Sequence, residues 1–128
     1  MEYSKVRGPN EILLYANFTD PKASTKRYME VIDREGLGKV MDGYLDDYNM
    51  IARTPMKLVL FFNAIEHIAR ISRVIRQPLG NALLVGLGGS GKQSLTRLSS
   101  FCAGYEVFTI TLARTYGIKE FKEDLKKL

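Results

Sequence analysis

The sequence predicts an α/β fold of the phosphate-binding P-loop type, incomplete, with a helical N-terminal lead-in. Three observations carry this reading. A glycine-rich loop, GLGGSGKQS, runs from Gly86 to Ser94. A short continuous apolar run enters the loop, and a stretch with helical periodicity leaves it. Upstream of the loop, apolar residues recur mostly at helical spacing.

Taken in order, Gly8-Pro9-Asn10 is a turn signal. Glu11 to Phe18 (EILLYANF) is a short apolar run, helix or strand, broken by Asp20-Pro21. Ser24 to Glu35 reads as a short helix with Tyr28, Val31 and Ile32 on one side; Gly36 and Gly38 punctuate it. Leu37, Val40, Met41, Tyr44, Leu45 and Tyr48 recur at three- and four-residue steps, an amphipathic helix ending near Asn49. Thr54-Pro55 predicts the next helix start, with Thr as N-cap and Pro at the first helical position. Leu58, Phe61, Phe62, Ile65, Ile68, Ala69, Ser72 and Ile75 form its apolar stripe. Arg70, Arg73 and Arg76 lie off the stripe, in the C-terminal half where the helix dipole favours cations. Gln77-Pro78-Leu79-Gly80 ends it.

Asn81 to Gly86 (NALLVG) reads as a buried parallel strand. After the loop, Lys92 to Cys102 is a helix with Leu95, Leu98, Phe101 and Cys102 inward and Gly104 closing it. Tyr105 to Leu112 (YEVFTITL) is a second strand, with Phe108, Ile110 and Leu112 on one face. Tyr116 to Leu128 is helical, with Ile118, Phe121, Leu125 and Leu128 on one face and Lys126 and Lys127 in the last turn.

Composition narrows the function classes. Nineteen Lys and Arg against fourteen Asp and Glu give a formal net charge of +5, which suits an anionic ligand. The charge is too mild and dispersed for a nucleic-acid binder, and no aromatic RNA-binding motif or zinc-ligand pattern accompanies it. One cysteine, Cys102, precludes an internal disulfide and reads as a buried structural thiol. One histidine, His67, precludes a multi-histidine metal site and sits beside the helical stripe without a catalytic role. No apolar run approaches the ~18 residues of a membrane span, and MEYSKVRGPNE lacks the core of a signal peptide. A soluble intracellular chain in a reducing compartment is expected.

The loop fits two templates. Gly86, Gly88 and Gly91 spell the dinucleotide fingerprint, whereas Gly86, Gly91 and Lys92 spell the P-loop. Both use backbone N–H groups and a helix N-terminus to hold phosphate. The dinucleotide site needs an acid at the end of the second strand. Here that end reads Thr111-Leu112-Ala113-Arg114, and Glu106 opens the strand instead. Arg114 could accept a 2′-phosphate, but Lys92 directly after the last glycine favours the P-loop. The residue after that lysine normally gives Mg²⁺ a hydroxyl. Gln93 has none, and Ser94, one residue on, points roughly 100° away. Nucleotide binding with handicapped Mg²⁺-dependent hydrolysis is expected.

Gly80 to Leu98 (GNALLVGLGGSGKQSLTRL) resembles the P-loop region of the fourth AAA+ module of axonemal dynein heavy chains, whose loops commonly read G-V-G-G-S-G-[KR]-Q-S-L. The likeness extends through Tyr48–Pro78 and Tyr105–Leu125; residues before Asp42 match loosely. It implies a P-loop NTPase (AAA+) fold, with 1–50 as helical lead-in or linker and 51–128 as a partial nucleotide-binding subdomain. It implies a regulatory ATP or ADP site in a microtubule motor ring of cilia and flagella, with Mg²⁺ binding weakened by Gln93. Carried over by position are Gly86, Gly88, Gly89, Ser90, Gly91, Lys92, Gln93 and Ser94. The implied partners are other AAA+ modules of the same heavy chain and dynein subunits, with microtubules reached only through distant regions. No nucleic acid and no membrane are expected. In the family a Walker B acid, a sensor and a helical lid follow the second strand, and the sequence is expected to be truncated before them. The strands flanking Asn81–Gly86 come later in that family, so an incomplete core of marginal stability is expected. Two other readings stand beside this one. A small P-loop phosphotransferase would take its metal ligand from Glu120, Glu123 or Asp124, although these lie on a charged helix. An interaction module with a vestigial P-loop would dock through a long helix, Met56 to Arg76.

Overall fold

A computed structural model describes residues 13–128. The turn at Gly8-Pro9-Asn10 and the start of the Glu11–Phe18 run lie outside the described residues. Two strands, β1 (Tyr15–Ala16) and β2 (Met29–Glu30), pair antiparallel, with Tyr15 opposite Glu30 and Ala16 opposite Met29. Four helices follow: α1 (Arg34–Ile51), α2 (Phe62–Ile75), α3 (Lys92–Ala103) and α4 (Ile118–Leu125). Among the described residues the chain is mostly helical, with this small sheet the only one.

The described part of the Glu11–Phe18 run, Leu13 to Phe18, is extended. Leu14, Ala16 and Phe18 are buried while Leu13 and Tyr15 are exposed, the period of a strand with one covered face. The helix expected over Ser24–Glu35 does not form. Met29 and Glu30 are in β2, Val31 donates its N–H to Leu14 O at 2.8 Å, and Ile32 points outward at 89% exposure. Asp33 then caps α1, its Oδ1 accepting the Gly36 N–H at 2.9 Å. α1 buries Leu37, Met41, Tyr44 and Leu45, four of the six residues expected from its periodicity.

Thr54-Pro55 does not start a helix. Asn49 clamps the following segment in extended form, its Nδ2 donating to Met56 O at 3.0 Å and its Oδ1 accepting the Met56 N–H at 2.7 Å. Met56, Leu58 and Leu60 alternate inward against the core, and Val59 and Phe61 outward. α2 begins only at Phe62, so the long helix Met56–Arg76 is shorter than expected.

α2 and α3 form the main packed pair. Small side chains let them approach: Ser72 and Ser99 are fully buried, and Ser99 Oγ donates to Leu95 O at 2.6 Å. Ile65, Ile68, Leu98 and Cys102 join Met41 and Phe18 in one core. Phe101 meets Tyr44 and Tyr48 edge-on, with ring centroids 6.4 and 5.6 Å apart. Gly104, with φ of 78°, ends α3, and the Tyr105 N–H returns to Ser100 O at 2.9 Å.

The two expected loop-flanking strands are not paired. Asn81–Gly86 and Tyr105–Leu112 make no ladder hydrogen bonds among the described residues. The buried parallel strand is instead an open surface, with Leu83 90% and Val85 86% exposed. Tyr105, Val107, Phe108, Ile110 and Leu112 are exposed too. A strand needs neighbours for its backbone groups and cover for its faces, and neither is present here. α4 is capped by Glu120, whose Oε2 accepts the Gly117 N–H at 2.8 Å. Its expected apolar face, Ile118, Phe121 and Leu125, lies exposed together with Leu128. No described helix is long and apolar enough to cross a membrane.

Candidate functional site

The glycine loop sits between Asn81–Gly86 and the N-terminus of α3. The structure brings Gly86, Gly88, Gly89, Ser90, Gly91, Lys92, Gln93 and Ser94 together in one short arc. Gly89 and Gly91 take φ of 76° and 78°, the left-handed conformation that side chains resist. Gly91 is the N-cap of α3 and provides no side-chain cap. The first helical bond inside this arc is Leu95 N–H to Gly91 O at 2.8 Å. The N–H groups of Lys92, Gln93 and Ser94 therefore have no acceptor among the described residues. They open on a cleft of about 420 Å³ whose wall is Gly88 to Ser94.

Lys92 closes the arc from within. Its ammonium donates to Gly86 O at 2.7 Å, to Leu87 O at 2.6 Å and to Ser90 Oγ at 3.0 Å. A positive charge and three acceptor-free N–H groups thus belong to one short arc that lines the cleft. Such a surface accepts an anion with several oxygens. An added Cβ on Gly86 would lie 3.1 Å from Ser90 Oγ and 3.5 Å from Lys92 Nζ, so a side chain there would press on the Ser90 hydroxyl. Leu87 was absent from the expected set. Only its carbonyl is used, and a side-chain pattern carries no signal for that.

Gln93 is exposed at the second position of α3, and its side chain has no hydrogen-bond partner among the described residues. Ser94 follows on a different helical face. No carboxylate lines the loop cleft. Glu120 is engaged with Gly117, and Asp124 accepts from Tyr116 Oη at 2.9 Å and pairs with Lys127 at 2.7 Å. Lys127 and then Tyr116 hold the Asp124 carboxyl below the usual carboxylate range. Among the described residues no cluster of three or more His, Cys, Asp or Glu could hold a metal.

His67 and Arg70 of α2 line a second, more apolar cleft of about 460 Å³, with Leu84, Ser90, Lys92 and Leu95 among its other walls. Sequence spacing could not join His67 to the loop, because packing of α2 against α3 sets that distance. Arg114 is exposed and lines neither cleft. Cys102 is buried on α3, and burial pushes its thiol up to about 12.

Comparison with known proteins places this geometry in a family. Residues 56–128 match the family described as "P-loop containing dynein motor region D4". Dynein axonemal heavy chain 1 of Rattus norvegicus is 47% identical over 120 residues, covering 94% of this chain and 3% of that protein. Dynein axonemal heavy chain 3 of Mus musculus is 47% identical over 116 residues, covering 91% of this chain and 3% of that protein. Dynein axonemal heavy chain 6 of Homo sapiens is 52% identical over 101 residues, 79% of this chain and 2% of that protein. The chain thus spans a few per cent of the length of these relatives. It belongs to the dynein heavy-chain family, through the P-loop-containing D4 motor region.

Proposed function

We propose that this chain is the N-terminal, P-loop part of the fourth AAA+ module of an axonemal dynein heavy chain. In this reading Gly86, Gly88, Gly89, Ser90, Gly91, Lys92, Gln93 and Ser94 hold the phosphates of ATP or ADP. Residues 51–128 form the partial nucleotide-binding subdomain and 1–50 its lead-in. The observation that carries the reading is the arc itself. Three acceptor-free N–H groups at the start of α3 face the same cleft that Lys92 borders. Charge-assisted hydrogen bonds from such groups favour a phosphate over neutral ligands.

The site regulates instead of driving turnover. Mg²⁺, when bound with nucleotide, would neutralise phosphate charge. Here Gln93 offers an amide where a hydroxyl would serve, and no carboxylate lines the cleft. These residues can bind and orient phosphates, and they have no base with which to activate water. The named relatives are axonemal dyneins. The proposed setting is accordingly a motor ring in the axoneme of a cilium or flagellum. Its neighbours are other AAA+ modules of the heavy chain and dynein subunits, with microtubules engaged by distant regions.

Calorimetric titration with ATP and ADP, with and without Mg²⁺, tests this on the chain and on Lys92→Ala. The expected result is binding that changes little with Mg²⁺ and weakens at least about tenfold in the variant. Equal affinity in both proteins, or Mg²⁺-dependent turnover, would overturn it.

A further inference from the structure

The ammonium of Lys92 has three hydrogens, and each has an acceptor: Gly86 O at 2.7 Å, Leu87 O at 2.6 Å and Ser90 Oγ at 3.0 Å. The three acceptors are not equivalent. Gly86 O and Leu87 O are backbone atoms, fixed by the chain entering the loop. Ser90 Oγ is on a side chain that turns about one bond, and its bond is the longest of the three. The Ser90 N–H also reaches Leu87 O at 3.3 Å, so the hydroxyl is presented from a turn folded back on the lysine. Ser90 borders both the cleft at Gly88–Ser94 and the cleft against α2. On the open side nothing crowds the arc, since an added Cβ on Gly88, Gly89 or Gly91 would meet no atom within 4 Å.

We propose that Ser90 is a competing ligand for Lys92. Its hydroxyl occupies the one ammonium hydrogen that a phosphate oxygen would otherwise take, and so sets the affinity of the site downward. The proposal rests on the reading of the loop as a nucleotide-phosphate site and refines it at Ser90: the residue belongs to the phosphate-facing loop, and its hydroxyl engages Lys92 instead of phosphate. Losing the hydroxyl leaves the two backbone acceptors in place and one ammonium hydrogen free. A phosphate then meets a lysine that is still positioned and no longer saturated. A Ser-to-Thr change keeps the hydroxyl and should keep the competition.

Two measurements on wild type, Ser90→Ala, Ser90→Gly and Ser90→Thr test this. The first is acylation of Lys92 by an amine-reactive reagent without nucleotide, read by mass spectrometry against exposed Lys119 in the same protein. Lys92 should label faster in Ser90→Ala and Ser90→Gly than in wild type and Ser90→Thr. The second is ADP titration, where removing a competing hydrogen bond to a charged group should tighten binding about tenfold or more in Ser90→Ala, with Ser90→Thr near wild type. Misfolding would weaken binding, so a gain cannot arise from it. Equal labelling in wild type and both hydroxyl-free variants overturns the proposal, and so does unchanged or weaker ADP binding in Ser90→Ala. Absence of ADP binding in all four proteins refutes the nucleotide reading, and the labelling then decides the Ser90–Lys92 contact by itself.

Discussion

Cys102 offers a quantitative test of whether the loop helix is seated in the core. The thiol is 1% exposed on α3, ten residues from Lys92 on the same helix. Burial is the main cause that pushes it from 9.0 up to about 12, with the charge of Lys26 opposing. A buried thiol is harder to ionise in the folded chain than in the unfolded one. The stabilisation from keeping it neutral is therefore complete below pH 9 and is lost as pH rises from about 9 through about 12. At pH 10 the unfolded thiol is about nine-tenths ionised and the folded one hardly at all, a linkage of about 1–2 kcal/mol. Urea unfolding of wild type and Cys102→Ala at pH 8 and pH 10, in reductant, isolates this contribution, because tyrosine and lysine titrations cancel in the difference. The wild-type advantage should shrink by about 1–2 kcal/mol between the two pH values. A difference that stays constant refutes the seating of Cys102, and with it the packing that orients the loop.

Leu98→Ala removes a side chain with no exposed surface from the same helix and should cost about 2–5 kcal/mol, read as a fall in the urea midpoint; a loss below about 1 kcal/mol would contradict the core position. Hydrogen–deuterium exchange should run fast across 81–86 and 105–112, where no ladder protects the amides, and slower across α3. Strong protection throughout would show that the core is complete without further strands. Gln93→Thr supplies a hydroxyl at the proposed metal position, so ATP affinity should become Mg²⁺-dependent by calorimetry; no change would refute the proposed handicap at Gln93.

What was legible in the sequence was what is local. α3 and its glycine loop follow from residues within a few positions of one another: left-handed glycines, a helix start at Lys92 and a glycine stop at Gly104. The body of α1 was legible for the same reason, since its buried residues repeat at helical spacing, but its start was not: Asp33 caps it where a helix over Ser24–Glu35 is expected, and Gly36 and Gly38, read as breaks, lie inside it. The misses are non-local. Thr54-Pro55 has good helix-start chemistry, but Asn49 holds Met56 by both its backbone groups and keeps 56–61 extended. A cap is worth about 0.5–2 kcal/mol, which two hydrogen bonds and three inward side chains can exceed. Met29 and Glu30 could not signal β2, because a two-residue strand has no periodicity and exists only through its pairing with β1.

The unpaired runs flanking the loop bear on function as well as fold. Leu83 and Val85 have the composition of a buried strand, yet lie open. Among the described residues no ladder hydrogen bond fixes the approach of this run to the loop. The grip of Lys92 on Gly86 O and Leu87 O then has a second role, because it ties the end of that unpaired run to the helix that follows. Three charge-assisted bonds within seven residues hold the arc in shape where no sheet does. Lys92→Ala should accordingly do more than weaken phosphate binding. It should also raise amide exchange at Ser90 to Ser94 in the absence of any nucleotide, while Gln93→Thr leaves exchange there as it was. Equal exchange in Lys92→Ala and wild type would confine the lysine to ligand binding and leave the loop's shape to its glycines alone.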